Sequence, residues 1–157
     1  MSSGRGHHHE PAGAWTGHAE SALRAAGHRS GGARSSVIAQ LAASDCCATA
    51  QEVHDAIRAS GQRVGLASVY RVLDQLVAVG AVTRVEFGDG VSRFEPAPPD
   101  GSHHHHLVCE RCGVVRPFES PELERAILGV GDRERFRVET HEVVLHGRCP
   151  DCLPKRA

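Results

Sequence analysis

Residues 103–112 read HHHHLVCERC, so that four histidines lead directly into the cysteine pair Cys109 and Cys112. A second pair with the same two-residue spacer, Cys149 and Cys152, lies near the end of the sequence. Two residues between cysteines allow both sulfurs of a tight turn to face one ion, and two such turns complete a tetrahedron. The spacing therefore predicts a structural four-cysteine zinc site in a small domain, in preference to two disulfides or four buried thiols.

The overall composition limits the classes of protein to which the chain can belong. The 157 residues suffice for one domain or two small ones, and 4% aromatic residues favour two small cores, the second held by metal. Lysine and arginine (18) nearly balance aspartate and glutamate (19), so any nucleic-acid partner must be bound by a local basic patch. We expect neither a membrane span nor a signal peptide, because no apolar stretch of the required kind is present. Because disulfides are rare in proteins that are not secreted, the six cysteines indicate a cytoplasmic location and metal binding.

Residues 1–20 are rich in glycine, serine, histidine, proline and alanine, which predicts a disordered tail. A short helix is possible from Glu20 to Ala26, ended by Gly27, and three further helices are expected after it. The first runs from about residue 35 to 43, and the second begins at the capping box of Thr49 and Glu52 and ends at Gly61. In the third helix the apolar residues of 69–77 recur at i, i+3, i+4, i+7 and i+8, which forms one apolar stripe.

A β-hairpin is predicted after the helices, because residues 81–87 and 91–95 have strand composition and flank Gly88-Asp89-Gly90. Three helices followed by a hairpin indicate a winged helix-turn-helix domain over residues 21–95, whose third helix would enter a DNA major groove. An ordinary helical bundle with a solvated polar face is the alternative that this pattern leaves open. The candidate DNA-contacting residues are Ser68, Tyr70, Arg71 and Arg34.

A hinge linker is predicted at residues 96–102, which contain three prolines. Residues 103–157 then form a small metal-binding dimerisation domain of the α+β class. Its expected elements are strands at 103–108, 114–118 and 136–145, and a helix at 120–128 that two glycines interrupt. We expect an exposed strand edge with which a second copy of the chain could pair.

These stretches together resemble the Fur family of metal-dependent bacterial repressors over about residues 26–152. The segment GLASVYRVL at 65–73 resembles the family's recognition helix, and residues 82–95 resemble its wing. The stretch from His103 to Gly113 is the most specific signature. The resemblance implies a homodimer with an N-terminal winged helix and a C-terminal α+β dimerisation domain. Its metal-loaded form would bind palindromic double-stranded operator DNA and repress genes of metal homeostasis.

The resemblance also implies two regulatory metal sites. The histidine tract can serve both, because successive side chains of a strand point to opposite faces. A thiolate in the hinge site favours zinc over iron or manganese, yet the native regulatory metal, zinc or iron, stays open. The implied hinge ligands are Cys47, Glu95, His104 and His106, with Cys46 beside Cys47 as the less favoured thiol. The implied ligands of the other site are His103, His105, Glu124 and His141.

Two other functions stay open beside metal-responsive repression. One is a peroxide- or redox-sensing regulator of the same fold, and the other is a zinc-ribbon interaction module that does not bind DNA. An enzyme is not expected, because the chain has no His-Glu-x-x-His motif and no separate acid–base pair. A small-molecule substrate is therefore not expected either.

Overall fold

The computed structural model describes residues 12–153, and the chain divides into two compact units, Met1–His103 and His104–Ala157. The described elements confirm the predicted fold class, a winged helix followed by a small α+β domain. The first unit contains α1 (Ala12–Ala25), α2 (Gly32–Ala42), β1 (Ala48–Thr49), α3 (Ala50–Ala59), α4 (Leu66–Ala78), β2 (Val82–Glu86) and β3 (Ser92–Pro96). The second contains β4 (His105–Cys109), β5 (Val115–Phe118), α5 (Pro121–Glu134), β6 (Val144–Gly147) and a 3-10 turn (Pro150–Cys152).

Helix α1 corrects the prediction of a disordered tail through residue 20, which is wrong from Ala12 onward. Trp15, Ala19 and Leu23 lie four residues apart on one face of α1 and are buried. The Trp15 indole N–H donates to the Ala81 carbonyl over 2.9 Å, which fixes α1 to the rest of the unit. Three apolar residues spread among glycine, histidine and alanine form too sparse a stripe for composition to reveal. Residues 1–11 of the predicted tail, including the histidines at 7–9, lie outside the described residues.

The helices predicted from capping and periodicity are present. At the start of α3, the Thr49 side chain accepts from the Glu52 N–H (3.1 Å) and the Glu52 carboxylate accepts from the Thr49 N–H (2.7 Å). Both halves of the capping box are therefore formed. Gly61, at φ 82°, permits the left-handed turn that follows α3. The apolar stripe of α4 is buried in the core, which leaves the opposite face of that helix exposed.

The predicted hairpin forms the wing, with β2 and β3 paired antiparallel and Arg84 opposite Phe94. A third strand, β1, joins the free edge of β3 and gives the strand order β1-β3-β2. The sequence does not reveal β1, because it has only two residues. Since Ala48 pairs with Phe94, the residues just before β1 lie beside those just after Phe94. This register brings the Cys46-Cys47 loop next to Glu95.

The second unit has a three-stranded sheet of order β5-β4-β6, in which β4 pairs antiparallel with β5 and parallel with β6. The predicted end of the helix at residue 128 is wrong, because α5 continues through both glycines to Glu134. A Cβ on Gly131 would lie 2.7 Å from Val138 Cγ2 and 2.9 Å from the Phe136 carbonyl, so glycine there permits close packing. The predicted strand at 136–145 is also too long. The Phe136 N–H bonds to the Gly131 carbonyl (2.8 Å), and β6 begins only at Val144.

The hydrophobic core of the described chain lies wholly in the first unit, from Trp15 to Phe94. The expected second apolar core is absent among residues 104–153, where the buried side chains are His105, His106 and Cys109. No helix within residues 12–153 is long and apolar enough to cross a membrane.

Helix α1 should contribute to the stability of the first unit through Trp15. We expect Trp15→Ala to destabilise this unit by about 3–5 kcal/mol, because it removes a buried ring and one of the two donors to the Ala81 carbonyl, which keeps only the Ala97 N–H. Trp15→Phe should cost less. Because Trp15 is the single tryptophan, urea unfolding must be followed by circular dichroism. Val91→Ala, at an exposed apolar side chain, is the control and should change stability by less than about 0.5 kcal/mol. An unchanged unfolding midpoint for Trp15→Ala would show that α1 is not packed as described.

Candidate metal centres and nucleic-acid interface

Four cysteine side chains of the second unit meet at one point. Cys109 ends β4, and a turn closed by the Gly113 N–H donating to the Cys109 carbonyl (2.8 Å) carries Cys112. Cys149 and Cys152 flank the turn after β6. The four sulfurs lie within 4.8 Å of one another, with those of Cys112 and Cys149 3.7 Å apart. Parallel pairing of β4 with β6 brings the two turns together, and the resulting cluster fits the predicted tetrahedral zinc site.

The local backbone favours a thiolate in this cluster. The Cys149 N–H donates to Cys109 Sγ over 3.3 Å, and this bond, with others from nearby backbone amides, lowers the pKa of Cys109 to about 6. Hydrogen bonding with Cys149 and Cys112 raises the pKa of Cys152 to about 12. These shifts favour ionisation of Cys109 while Cys152 keeps its proton. A divalent cation would replace the remaining protons and stabilise all four sulfurs in the ionised form.

A second group of ligands surrounds Glu124 on α5. Its two carboxylate oxygens lie 2.6 Å from His105 Nε2 and 2.9 Å from His141 Nε2. His105 is only 1% exposed, so a single carboxylate holds a buried imidazole and a second imidazole on one side of β4. This nitrogen- and oxygen-rich set suits zinc, iron, nickel or manganese. His103 is the last residue of the first unit, and its role as a further ligand stays a prediction.

The predicted hinge ligands fall into two pairs, one in each unit. In the first unit, the sulfur of Cys46 and a carboxylate oxygen of Glu95 lie within 4.8 Å of each other. In the second, the rings of His104 and His106 are in edge contact with centroids 4.9 Å apart, and they offer nitrogens within 4.8 Å of each other. Each unit by itself therefore presents two of the four ligands that a tetrahedral ion requires.

The thiol that lies close to Glu95 is Cys46, whereas the sequence interpretation favours Cys47. Cys47 is hydrogen-bonded to Cys46, and this contact, then burial and the nearby Glu95, raise the pKa of Cys47 far above its usual value. The two thiols stand side by side in the sequence, and only the family resemblance ranks Cys47 above Cys46. Which of them ligates a metal stays a prediction.

The predicted DNA-contacting residues are grouped on the first unit. Tyr70 and Arg71 are exposed on α4, and Ser68 is half-buried at its first turn. Arg34 on α2 donates to the Gln75 side chain of α4 over 3.4 Å. These side chains can donate to phosphates or read base edges, and their DNA contacts stay predictions.

One ion pair joins the wing to α4, and a second lies within the wing itself. Arg84 of β2 bonds to Asp74 of α4 (2.5 Å), which ties the wing to the predicted recognition helix. Arg93 bonds to Asp89 (2.7 Å) and stacks over the Phe87 ring, with its guanidinium carbon 5.2 Å from the ring centroid. The Arg93 guanidinium lowers the pKa of Asp89 to about 2, so the pair at the wing tip persists in mild acid. The Arg84–Asp74 pair is the ion pair that connects the wing to α4, and both of its side chains are exposed.

Comparison with known proteins gives consistent matches. The model of the ferric uptake regulator family matches residues 25–146. The ferric uptake regulation protein of Bordetella parapertussis is 40% identical over 108 residues, which are 69% of this chain and 76% of that protein. The crystal structure of the Vibrio cholerae ferric uptake regulator has a TM-score of 0.74 at 33% identity, over 83% of this chain and 98% of that one. The regulator from Pseudomonas aeruginosa with manganese has a TM-score of 0.68 at 32% identity, over 83% and 97%.

Metal binding at the four cysteines should weaken in acid. Because the pKa of Cys109 is lowered to about 6, its thiolate is present at neutral pH and is lost as the pH falls through about 6. We expect affinity for cobalt to fall as the pH is lowered from about 8, because Cys112 and Cys152 must lose protons to bind, and to fall more steeply below about pH 6, where Cys109 is protonated too. Sulfur-to-cobalt charge-transfer absorption follows the binding. Cys112→Ser is the control and should weaken binding at every pH. Constant affinity from about pH 8 to about pH 5 would contradict the ionisation of Cys109 described here.

Proposed function

Because the chain belongs to the ferric uptake regulator family, we propose that it is a transcriptional repressor that binds operator DNA as a metal-loaded homodimer. The family consists of metal-responsive transcription regulators rather than enzymes. A regulator of this kind acts where the chromosome is, so its proposed location is the cytoplasm. The structural metal of the proposal is zinc at the four cysteines.

One observation supports the regulatory part of the proposal: each unit presents two metal ligands, which is half of the set that a tetrahedral ion requires. Cys46 and Glu95 in the first unit supply a sulfur and an oxygen, while His104 and His106 in the second supply two nitrogens. An ion that takes both pairs would have four ligands, whereas neither pair alone suffices. We propose that this shared ion couples the two units. Sulfur with nitrogen and oxygen suits zinc or iron, and the thiolate favours zinc.

The coupling would act through populations of conformations. Without the regulatory ion, the two winged helices of a dimer sample many separations, and few of these match two major grooves one helical turn apart. The ion selects the conformations that bring its two ligand pairs together. A change of the DNA-competent fraction from about 1% to about 99% requires about 5.5 kcal/mol of differential metal affinity. Multidentate metal sites reach affinities of this order.

A second copy of the chain is the proposed partner of the second unit. Of the nine large hydrophobic side chains that are strongly exposed in the described chain, seven lie in this unit, and Phe136 is 75% exposed. Apolar surface of this extent typically marks an interface. Strands β5 and β6 are both sheet edges, which a symmetric partner could extend or cover.

Metal should control DNA binding. Duplexes would be selected from a random-sequence pool by the zinc-loaded full chain and then assayed by band shift with and without a chelator mild enough to leave the four-cysteine zinc bound. We expect at least about a hundredfold loss of affinity on chelation, since the competent fraction falls. His104→Ala should lose the metal response, while Arg125→Ala, at an exposed arginine of α5, should keep it. Equal affinity with and without chelator would refute the switch.

Arg71 should contribute directly to DNA affinity. Arg71→Ala should weaken binding of the selected duplex by about 1–3 kcal/mol if the guanidinium pairs with a base edge, and specificity should relax at one base position. Arg125→Ala again serves as the matched control, because it removes the same charge outside the proposed interface. Unchanged affinity for Arg71→Ala would remove α4 from the role of recognition helix.

A further inference from the structure

Two adjacent cysteines, Cys46 and Cys47, stand in the loop between α2 and β1. Both residues are half-buried in the fold. The side chain of Cys46 is in hydrogen-bonding contact with that of Cys47. Neither sulfur belongs to the four-cysteine cluster. The proposed regulatory ion uses one of the two, which leaves a second thiol at the same place.

A direct disulfide between these neighbours is disfavoured by the length of the backbone between them. Consecutive Cα atoms lie about 3.8 Å apart, whereas disulfide-linked cysteines usually have Cα atoms about 4.4–6.8 Å apart. The pair is therefore held as a dithiol. An atom that binds both sulfurs avoids this difficulty, because it bridges them and no direct S–S bond has to form.

We propose that Cys46 and Cys47 form a binding site for trivalent arsenicals. An organic arsenical RAs=O reacts with the two thiols to give RAs(S-Cys)2 and one water. Two As–S bonds form, two S–H bonds break, and the two protons leave with the arsenical oxygen as water. Arsenic stays trivalent and sulfur stays divalent, so the step requires no oxidant or reductant. Adjacent thiols make the second As–S bond intramolecular, which raises affinity well above that of a single cysteine.

Occupancy by arsenic would also affect the regulatory site, a consequence that rests on the proposed function. Cys46 lies within 4.8 Å of Glu95, so an arsenic atom on its sulfur removes the thiolate from the first unit's pair of metal ligands. The arsenical and the regulatory ion are therefore expected to compete. Operator DNA would be released when the arsenical binds.

The test uses phenylarsine oxide and the full chain, with zinc kept at the four cysteines and the regulatory metal removed by a mild chelator. Native mass spectrometry should show one adduct per chain, lighter by one water than the sum of the components, with unchanged zinc content. Cys46→Ser and Cys47→Ser should each weaken uptake by at least about a hundredfold, since the second thiol is then missing. Ser44→Ala, in the same loop, is the matched control and should bind as the parent does. A dithiol such as dimercaptopropanol should remove the adduct, whereas a monothiol should not.

Two results would overturn the arsenical site. One is uptake that either single cysteine variant leaves unchanged. The other is zinc released in step with the adduct, which would place arsenic on the four-cysteine cluster. The DNA assay separates this proposal from the previous one. Arsenical uptake without metal-dependent DNA binding would refute only the proposed function, and metal-dependent DNA binding without dithiol-dependent uptake would refute only the arsenical site.

Discussion

The second unit has almost no apolar interior, and metal-ligating side chains occupy the positions where a core would be. The buried side chains among residues 104–153 are two histidines and one cysteine, while the hydrophobic core belongs entirely to the first unit. Zinc in small four-ligand sites contributes about 10–16 kcal/mol, which matches the about 5–15 kcal/mol that stabilises an ordinary domain. Coordination by Cys109, Cys112, Cys149 and Cys152 can therefore replace apolar burial as the main stabilising interaction of this unit.

The strand β4 organises the candidate metal chemistry of the second unit because of its side-chain alternation. His105 faces Glu124 and His141, whereas His106 contacts His104, which immediately precedes β4, and the same strand ends at Cys109 of the four-cysteine cluster. In the first unit the thiols are placed by the register of β1 against β3. A few short, well-paired strands thus position ligands that lie far apart in the sequence. Displacement of β4 by one residue would exchange the two faces and separate both sets.

Much of this arrangement could be predicted from local sequence signals. The capping box of α3, the apolar stripe of α4 and the two cysteine pairs each arise from interactions within a few residues, so short stretches suffice to identify them. The misassigned elements depend on distant contacts. Helix α1 is held by a bond from Trp15 to Ala81, and in α5 the backbone at Gly131 lies so close to Phe136 and Val138 that a Cβ there would clash. The closeness of Cys46 to Glu95 likewise depends on a two-residue strand that no periodicity reveals.

The dependence of the second unit on zinc is tested most directly by amide hydrogen exchange of the full chain before and after removal of the structural metal. Loss of zinc should abolish protection throughout β4, β5 and β6, while the amides of α2, α3 and α4 keep theirs, because an apolar core stabilises only the first unit. Protection of β4–β6 that is unchanged by zinc removal would show that other interactions hold this unit together and would contradict a stabilising role for the metal.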